Sequence, residues 1–295
     1  EKDSDEIQKR INEINAGTYI IDGKLLKQEL GNLSTDNSQN EYYLTDVLEN
    51  IAKNNNVATL AVDSESILGV NSRIQLAQAE TVMRKRINEA HMRNGVTLIN
   101  PDCTYIDKSV IIEKDCIIYP NCHIKGNTLI RSNTEIRENA VIENSVIGEC
   151  VSVKSSTIID SQIGNGTTVG PYAYLRPGSR IGNNCKIGDF VEFKNASFGD
   201  GSKASHLSYI GDADVGSNVN IGCGVVFVNY DGKNKFRTVV KDNSFVGSNS
   251  NLVAPVTIEE NSFIAAGSTI TEDVPKDSLA IARGRQVNKA DWNNK

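Results

Sequence analysis

Bulky aliphatic side chains recur at every sixth position along three stretches of the chain. The three runs are Ile106, Ile112, Ile118, Ile124, Ile130, Ile136 and Ile142; then Ile163, Val169, Leu175, Ile181, Ile187 and Phe193; then Val240, Val246, Leu252, Ile258, Ile264 and Ile270. A period of six fits neither an α-helix nor a simple strand, and it predicts a repeat in which each hexapeptide is a short strand followed by a turn. Three such sides would close a triangular coil of about eighteen residues, with glycines at the corners. We therefore predict a mostly β fold, a hexapeptide β-helix over residues 101–275.

The repeat is interrupted in three places. Its rhythm slips between residues 142 and 163 and again near 198–215, and a stretch without the repeat, 229–238, interrupts one coil. Insertions in solenoids form loops, which often carry function. The tail, 276–295, leaves the repeat and is expected on the surface or against a neighbour.

The first hundred residues do not follow the six-residue period. Residues 14–21 and 57–62 are predicted to be strands, and 24–30 and 45–53 short helices. This is α/β material, but residues 1–70 are too few for a complete doubly wound domain. Residues 71–100 are predicted to form a linker helix that Asn71 and Ser72 cap, that runs to about Arg93 and that Gly95 stops.

Composition narrows the possible partners. A formal net charge of −6 and a pI near 5.3 argue against nucleic acid as the main partner. No apolar run reaches the ~20 residues that a membrane span needs, and the acidic N-terminus does not resemble a signal peptide. The six cysteines form no CxxC pair, so we predict free thiols in a reducing cytoplasm.

Candidate chemistry lies outside the core positions. The three histidines, His91, His123 and His206, lie in different regions, which makes a zinc site of three histidines from one chain implausible. His206 lies beside a break in the rhythm, where a lone histidine is more often an exposed loop residue. Cationic and phenolic residues also collect outside the core: Arg176, Lys194, Tyr209, Lys235 and Arg283.

Arg176 and Lys194 are eighteen residues apart, one coil, so they should stack on one face. Two adjacent cations predict an anion site of a kind that suits phosphate. A simple salt bridge to Glu192 is the competing explanation.

Four contiguous motifs resemble one protein family. They are Gly-Pro-Tyr-Ala-Tyr-Leu-Arg-Pro-Gly at 170–178, His-Leu-Ser-Tyr-Ile-Gly-Asp-Ala at 206–213, Val-Asn-Tyr-Asp-Gly-Lys-Asn-Lys at 228–235 and Leu-Val-Ala-Pro-Val at 252–256. The chain resembles, over essentially all its length, the bacterial bifunctional enzyme of UDP-N-acetylglucosamine synthesis. In that family an N-acetylglucosamine-1-phosphate uridylyltransferase domain precedes a left-handed parallel β-helix, which is a glucosamine-1-phosphate N-acetyltransferase.

The resemblance implies roles for individual residues. His206 matches the general base. Residues that match those holding glucosamine 1-phosphate are Arg176, Lys194, Tyr209, Asn220 and Lys235. Residues that match contacts to the cosubstrate acetyl-CoA are Cys223, Asn229, Tyr230, Ser248, Ala266 and Arg283. Members of the family are homotrimers with shared active sites, and Lys235 is expected to reach a neighbour's site.

These residue types suit acetyl transfer to the sugar 2-amine. A base must remove a proton as the amine adds to the thioester, and an imidazole with an unperturbed pKa of about 6.5 can do so. Cations that hold the phosphate would orient the amine, and a backbone N–H near 222–230 is a candidate oxyanion donor. Glu192 is a candidate to orient the imidazole. The family commonly has alanine where this chain has Cys223, and direct transfer requires no acyl-cysteine.

The N-terminal part departs from the family. The Gly-rich nucleotide loop and the Mg²⁺-binding aspartate of the uridylyltransferase are missing from this sequence, which aligns from well inside that domain. Asn15 matches a sugar contact and Asn71 matches the second Mg²⁺ ligand, but without its aspartate partner this site is incomplete. We therefore expect no uridylyltransferase activity, for which alone Mg²⁺ would be needed. Two alternatives stay open: another hexapeptide acyltransferase, and a non-catalytic trimeric scaffold that binds a sugar nucleotide.

Overall fold

The computed structural model describes residues 10–11, 13–37, 39–290 and 292. They fall into two compact units, divided between Ala79 and Glu80. The first contains α-helices Gly23–Leu30 and Leu44–Asn54 and a 3₁₀ turn at Ser64–Ile67, so both predicted short helices are confirmed. Asp22 caps the first helix by accepting from the backbone N–H groups of Lys24 and Leu25 at 2.9 and 3.1 Å.

The two strands predicted in this unit are wrong. The described residues of 14–21 and 57–62 form no β-ladder, and most of their side chains are exposed. A strand needs a neighbour to satisfy its backbone N–H and C=O groups. Within the described part of this unit no second strand provides one.

The predicted linker helix spans Arg73–Arg93. Gly95 follows it with a positive φ of 89°, a conformation that glycine adopts without steric cost. Near its C-terminal end the buried amide of Asn88 donates to the carbonyls of Pro101 and Thr104 at 2.7 and 3.0 Å. These bonds fix the end of the helix on the first coil of the solenoid, next to the 3₁₀ turn Pro101–Cys103.

The second unit is a parallel β-solenoid with three faces, and its strands run from Thr97 to Ala280, a few residues beyond the predicted bounds at each end. The first face consists of Thr97–Leu98, Ile117–Ile118, Glu135–Ile136, Ser152–Val153, Thr168–Val169, Asn220–Ile221, Phe245–Val246, Phe263–Ile264 and Leu279–Ala280. The second consists of Tyr105–Ile106, His123–Lys125, Val141–Glu143, Thr157–Ile159, Tyr174–Leu175, Val226–Val228, Asn251–Val253 and Thr269–Ile270. The third consists of Ile111–Ile112, Leu129–Ile130, Val146–Ile147, Gln162–Ile163, Arg180–Ile181, Ser197–Phe198, Ala213–Val215, Thr238–Val240 and Val256–Ile258.

Two longer strands, Lys186–Lys194 and Lys203–Gly211, continue around the corner between the first and second faces. They join these faces into one sheet of nineteen strands, while the third face is a separate sheet of nine. Elsewhere most strands have only two or three residues. The place where the strands are longest is therefore also where a corner is built from β-structure instead of a turn.

The breaks in the rhythm correspond to coils of unusual length. Val141 pairs with Thr157, sixteen residues later, and Lys186 pairs with Lys203, seventeen residues later. The excursion at 229–238 lengthens its coil, so that Asn220 pairs with Phe245. The stack continues through these changes because the corners, not the strands, gain or lose the residues.

The core is one column of inward-facing side chains. In almost every two-residue strand the second residue is buried, and the isoleucines of the first run from 118 to 142 are fully shielded from solvent. Phe193 and Phe198 meet edge to face with ring centroids 5.2 Å apart. Each such residue contributes about 1.5–3 kcal/mol through burial, and the predicted hexapeptide β-solenoid is confirmed.

All six cysteines are free thiols, as predicted. Cys116, Cys122 and Cys185 are buried, and burial raises the pKa of the Cys122 thiol to about 11. Cys150 and Cys223 are exposed. Among the helices of the described residues, none combines the length and the apolar character that crossing a bilayer requires.

Candidate active site

His206 and Asp189 face each other at the corner between the first and second faces. The parallel register of their strands pairs the two residues, and the imidazole Nδ1 lies 2.8 Å from Asp189 Oδ1. This hydrogen bond from His206 lowers the pKa of Asp189, and the imidazole side chain is 61% exposed. The proposal that Glu192 orients the imidazole is wrong, because that carboxylate binds Arg176 instead. Sequence reasoning missed Asp189.

This corner is closely packed. Gly188, just before Asp189, has no room for a side chain, because a Cβ there would lie 1.8 Å from the Ser205 carbonyl oxygen. Phe190, which follows Asp189, and Leu207, which follows His206, have positive φ angles of 57° and 33°. The turn in the backbone directs the Asp189 and His206 side chains outward, to where solvent or a ligand can reach the ring.

Four residues predicted to contact acetyl-CoA continue the same corner on successive coils: Cys223, Ser248, Ala266 and Arg283. Backbone N–H groups one coil further on donate to the carbonyls of Cys223 and Ser248 at 2.8 Å, and Arg283 Nη1 donates to the Ala266 carbonyl at 2.7 Å. All four residues are exposed, and three have small side chains. We call this line the corner column. It starts one coil beyond His206, and its residues are exposed along its length.

Arg176 and Tyr209 lie on the second face. Arg176 follows the register pair Leu175–Phe193, which places it alongside Lys194, as the spacing predicted. Its Nη1 donates to Glu192 Oε1 at 2.8 Å, and this bond raises the pKa of Arg176. Arg176 therefore does both: it stacks beside Lys194, and it forms the salt bridge to Glu192 that was the competing explanation.

The Tyr209 ring, on the strand beside Glu192, folds over Gly211. A Cβ at Gly211 would lie 2.4 Å from the Tyr209 hydroxyl, so glycine is required for the ring to adopt this position. The hydroxyl accepts a long hydrogen bond of 3.5 Å from Asn229 Nδ2. This bond connects the second face to the start of the excursion.

Lys194 and Lys235 lie side by side within the same chain. A hydrogen bond between the two side-chain amines and, after it, the like charge of Lys194 lower the pKa of Lys235. Lys235 was expected to reach a neighbour's site, and in this chain it faces its own Lys194. Arg176, Lys194, Tyr209 and Lys235 thus form what we call the cation cluster.

Asp212 is the acidic member of this region, and sequence reasoning missed it. It is only 8% exposed. Burial raises its pKa, but hydrogen bonds from Asn195 and Asn229 and the charges of Lys194 and Lys235 outweigh this effect, so the pKa is lowered overall. The bond from Asn195 is 2.7 Å long. Asp212 is therefore an ionised carboxylate that attracts both lysines.

Three predicted site residues lie outside the group to which the resemblance assigns them. Asn220 is on the first face, between Lys203 and Phe245. Asn229, predicted to contact acetyl-CoA, is buried against Asp212 beside the cation cluster. Tyr230 is the second residue of the excursion, and its hydroxyl donates to the Gly232 carbonyl at 2.7 Å.

Asn15 and Asn71 lie in the first unit. Asn15 Oδ1 accepts from the Gly17 N–H and the Tyr19 hydroxyl, both at 2.9 Å. At the long helix, Ser72 Oγ accepts from the Gln75 N–H, while Asn71 contributes only its backbone N–H to Gln75 Oε1. The cap is thus made by Ser72, not by the Asn71 side chain. In the described part of the chain, no group of three or more His, Cys, Asp or Glu residues is arranged to hold a metal ion.

The fold and its repeats define the class of protein. Residues 109–144, 160–195 and 237–272 match the family described as bacterial transferase hexapeptide (six repeats). These three segments therefore carry hexapeptide repeats of the kind from which the solenoid is built.

Comparison with known proteins narrows this class. The chain is 59% identical over 294 residues to the bifunctional protein GlmU of Clostridioides difficile (strain 630), covering 99% of this chain and 64% of that protein. It is 58% identical to GlmU of Alkaliphilus oremlandii (strain OhILAs), covering 99% of this chain and 65% of that protein. The chain thus spans just under two thirds of the length of these relatives, and the resemblance inferred from its motifs is confirmed.

A lower similarity links the chain to the solved structure of LpxA, a UDP-N-acetylglucosamine acyltransferase from Bacteroides fragilis. The sequence identity is 20% and the TM-score 0.44, over 63% of this chain and 71% of that chain.

Proposed function

We propose that this chain transfers an acetyl group from acetyl-CoA to the 2-amine of glucosamine 1-phosphate, giving N-acetylglucosamine 1-phosphate for UDP-N-acetylglucosamine synthesis. The observation that carries the proposal is the hydrogen-bonded Asp189–His206 pair, which lies one coil before the corner column and on the same strand as Tyr209 of the cation cluster. This arrangement supports a base with a cosubstrate site on one side of it and a phosphate site on the other. The high identity to bifunctional GlmU proteins supports the same activity.

The chemistry follows from the hydrogen bond of His206. With Nδ1–H donated to Asp189, Nε2 carries the free lone pair. As the neutral amine nitrogen bonds to the thioester carbonyl carbon, Nε2 takes the amine proton. The tetrahedral intermediate then collapses, the C–S bond breaks, and the proton passes to the departing thiolate to give CoA. No acyl-enzyme is formed.

The cation cluster would hold the sugar phosphate. Arg176 offers a planar fork of N–H donors, and Lys194 and Lys235 offer two ammonium groups. Fixing the phosphate orients the amine toward the corner, so that binding energy is used for alignment. Cys223, Ser248, Ala266 and Arg283 would lie along the acetyl-CoA.

We also propose a homotrimer in which the corner at His206 approaches a neighbouring subunit. Tyr172, Phe190 and Leu207, on successive coils of this corner, are 58–60% exposed, and the first two rings stack with centroids 5.6 Å apart. An exposed apolar ridge next to a site favours contact with another protein surface. Light scattering of the purified chain would measure a mass three times that of one chain, whereas a monomer or dimer would contradict the trimer.

Thiol release from acetyl-CoA tests the function. We expect release that requires glucosamine 1-phosphate and that falls by about 10²–10⁴-fold in His206→Ala, the range for loss of a general base. His123→Ala, which removes a half-buried histidine stacked on Tyr105 in a distant coil, is the control and should retain activity. Release that continues unchanged in His206→Ala would contradict the mechanism, and release with other amines but not this phosphosugar would favour a different hexapeptide acyltransferase.

A further inference from the structure

The excursion returns to the solenoid at Arg237, whose guanidinium makes four hydrogen bonds. Nε and Nη2 bind the two carboxylate oxygens of Asp214, the Nη2–Oδ1 distance being 2.6 Å. Nη1 donates to the Asn195 carbonyl at 3.1 Å, and Nη2 also donates to the Ala213 carbonyl at 3.0 Å. The end of the excursion is therefore attached to two different coils.

Asp214 is fixed from its other side as well. Ser197 Oγ donates to Asp214 Oδ1 at 2.7 Å, from the neighbouring strand of the third face. The bond from Arg237 lowers the pKa of Asp214, and the same bond raises the pKa of Arg237. Most ion pairs at a surface contribute little, but a bidentate arginine–carboxylate pair with further bonds has a defined geometry. We call Arg237 and Asp214 the clamp.

The cation cluster needs such an anchor. Lys235, two residues before Arg237, lies beside Lys194, and their like charges repel. Residues 231–235, at the tip of the excursion, are exposed and form hydrogen bonds mainly with one another. For example, Asp231 Oδ1 accepts from the N–H groups of Lys233 and Asn234. Repulsion would move a free loop away from Lys194. An antiparallel bridge between Tyr230 and Lys235 holds the two arms of the loop together, through the bonds from Phe236 N–H to the Asn229 carbonyl and from Asp231 N–H to the Asn234 carbonyl. The clamp is the restraint that attaches this bridged loop to the coils beneath it.

We propose that Arg237 and Asp214 are positioning residues that hold Lys235 beside Lys194 and so keep the anion site assembled before the phosphate arrives. The inference rests on the proposed function in one respect, that the anion is the phosphate of the amino sugar. Neither residue would touch the reacting atoms. Because the site is already assembled, little binding energy is spent on ordering the loop.

The variants are Asp214→Asn, which removes the charge, and Arg237→Lys, which keeps the charge but loses the fork. Glu260→Gln is the control. The Glu260–Lys276 pair is about as exposed as the clamp but has only one hydrogen bond, and it lies three coils away from Ser197, the strand neighbour of Asp214. Thermal unfolding of each variant establishes that it folds. Calorimetry measures the binding of inorganic phosphate to each variant. NMR of lysine-labelled protein follows the titration of Lys235.

For Asp214→Asn we expect phosphate affinity to fall about tenfold, the order of losing one charge-assisted hydrogen bond. The Lys235 pKa should return toward that of an ordinary lysine, and KM for glucosamine 1-phosphate should rise while kcat stays near the wild-type value. Arg237→Lys should give a smaller change in the same direction. A purely structural loss would lower the unfolding temperature without moving the Lys235 titration.

The two proposals can fail separately. If the wild type transfers no acetyl group, yet binds phosphate in a way that Asp214→Asn weakens, the clamp is supported and the proposed function is wrong. If the wild type is active and folded Asp214→Asn matches Glu260→Gln in phosphate affinity and Lys235 titration, the clamp is overturned.

Discussion

The imidazole Nδ1 of His206 lies 2.8 Å from Oδ1 of Asp189, its direct partner across two parallel strands one coil apart. A carboxylate in this position accepts the Nδ1 proton and so fixes the tautomer in which Nε2 is the base. It also stabilises the imidazolium that forms when the base takes a proton. The orientation of the base therefore comes from its own ladder partner.

Replacing Asp189 by Asn should lower kcat by up to about 10⁴-fold, because an amide that donates to Nδ1 favours the tautomer with the proton on Nε2, and a neutral side chain cannot stabilise the imidazolium. KM for both substrates should change little, because Asp189 belongs to neither the cation cluster nor the corner column. Steady-state kinetics of thiol release measure both constants. Asp200→Asn, at a different corner of the same coil, is the control, and a kcat equal to that of the control would show that Asp189 has no part in the reaction.

Replacing Glu192 by Gln should have a different effect. The amide oxygen can still accept from Arg176, but the negative charge next to the phosphate site is gone. At an exposed site one such charge is worth about 1 kcal/mol, so KM for glucosamine 1-phosphate should fall a few-fold. The kcat should not change, because Asp189, not Glu192, holds His206. A large drop in kcat instead would reinstate Glu192 as the partner of the imidazole.

The sequence predicts the solenoid well because its signal is periodic. One aliphatic per hexapeptide identifies residues such as Ile124 and Ile136, and both are fully buried. The spacing of Arg176 and Lys194 likewise predicts that they stack, and the register agrees. These inferences need only the ideal coil length, and that length holds here.

Where the coil length departs from eighteen, neighbours cannot be read from the ideal spacing. An eighteen-residue step back from His206 reaches Gly188, whereas the actual coil of seventeen pairs it with Asp189. Arg237 and Asp214 are separated by the excursion, whose path no repeat specifies. Counting the residues between flanking core positions would have located Asp189. The clamp depends on side-chain geometry that the sequence alone does not provide.

The anion site should be sensitive to alkaline pH. Because Lys194 lowers the pKa of Lys235, this ammonium loses its proton at a lower pH than an ordinary lysine, although Asp212 and Tyr209 act in the opposite direction. Phosphate affinity should therefore decline as pH rises through that lowered pKa. Lys235→Arg should retain affinity to higher pH, since a guanidinium stays charged. Calorimetric titration of phosphate at several pH values measures both, and identical profiles would contradict the assignment.

The corner below His206 should not tolerate a side chain at Gly188. A Cβ there would lie 1.8 Å from the backbone oxygen of Ser205, which cannot move without opening the ladder between the two long strands. Gly188→Ala should thus reduce the free energy of unfolding by about 2–4 kcal/mol. Gly284→Ala, where no atom lies within 4 Å of the added Cβ, should be nearly neutral. Denaturant unfolding of both variants compares them, and equal stabilities would show that this corner is looser than described.

Substitution of Cys223 distinguishes direct acetyl transfer from a route through an acetylated cysteine. It is exposed and lies one coil beyond His206 in the corner column, so a thiol acceptor for the acetyl group is conceivable from position alone. If transfer is direct, Cys223→Ala should keep kcat within about twofold of the wild type, because no bond to sulfur is made. Cys223→Trp should instead raise KM for acetyl-CoA by obstructing the column, while phosphate affinity at the cation cluster stays the same. Intact-protein mass spectrometry during turnover provides the independent measurement: a protein heavier by one acetyl group, lost in Cys223→Ala together with activity, would establish the covalent route in place of direct attack.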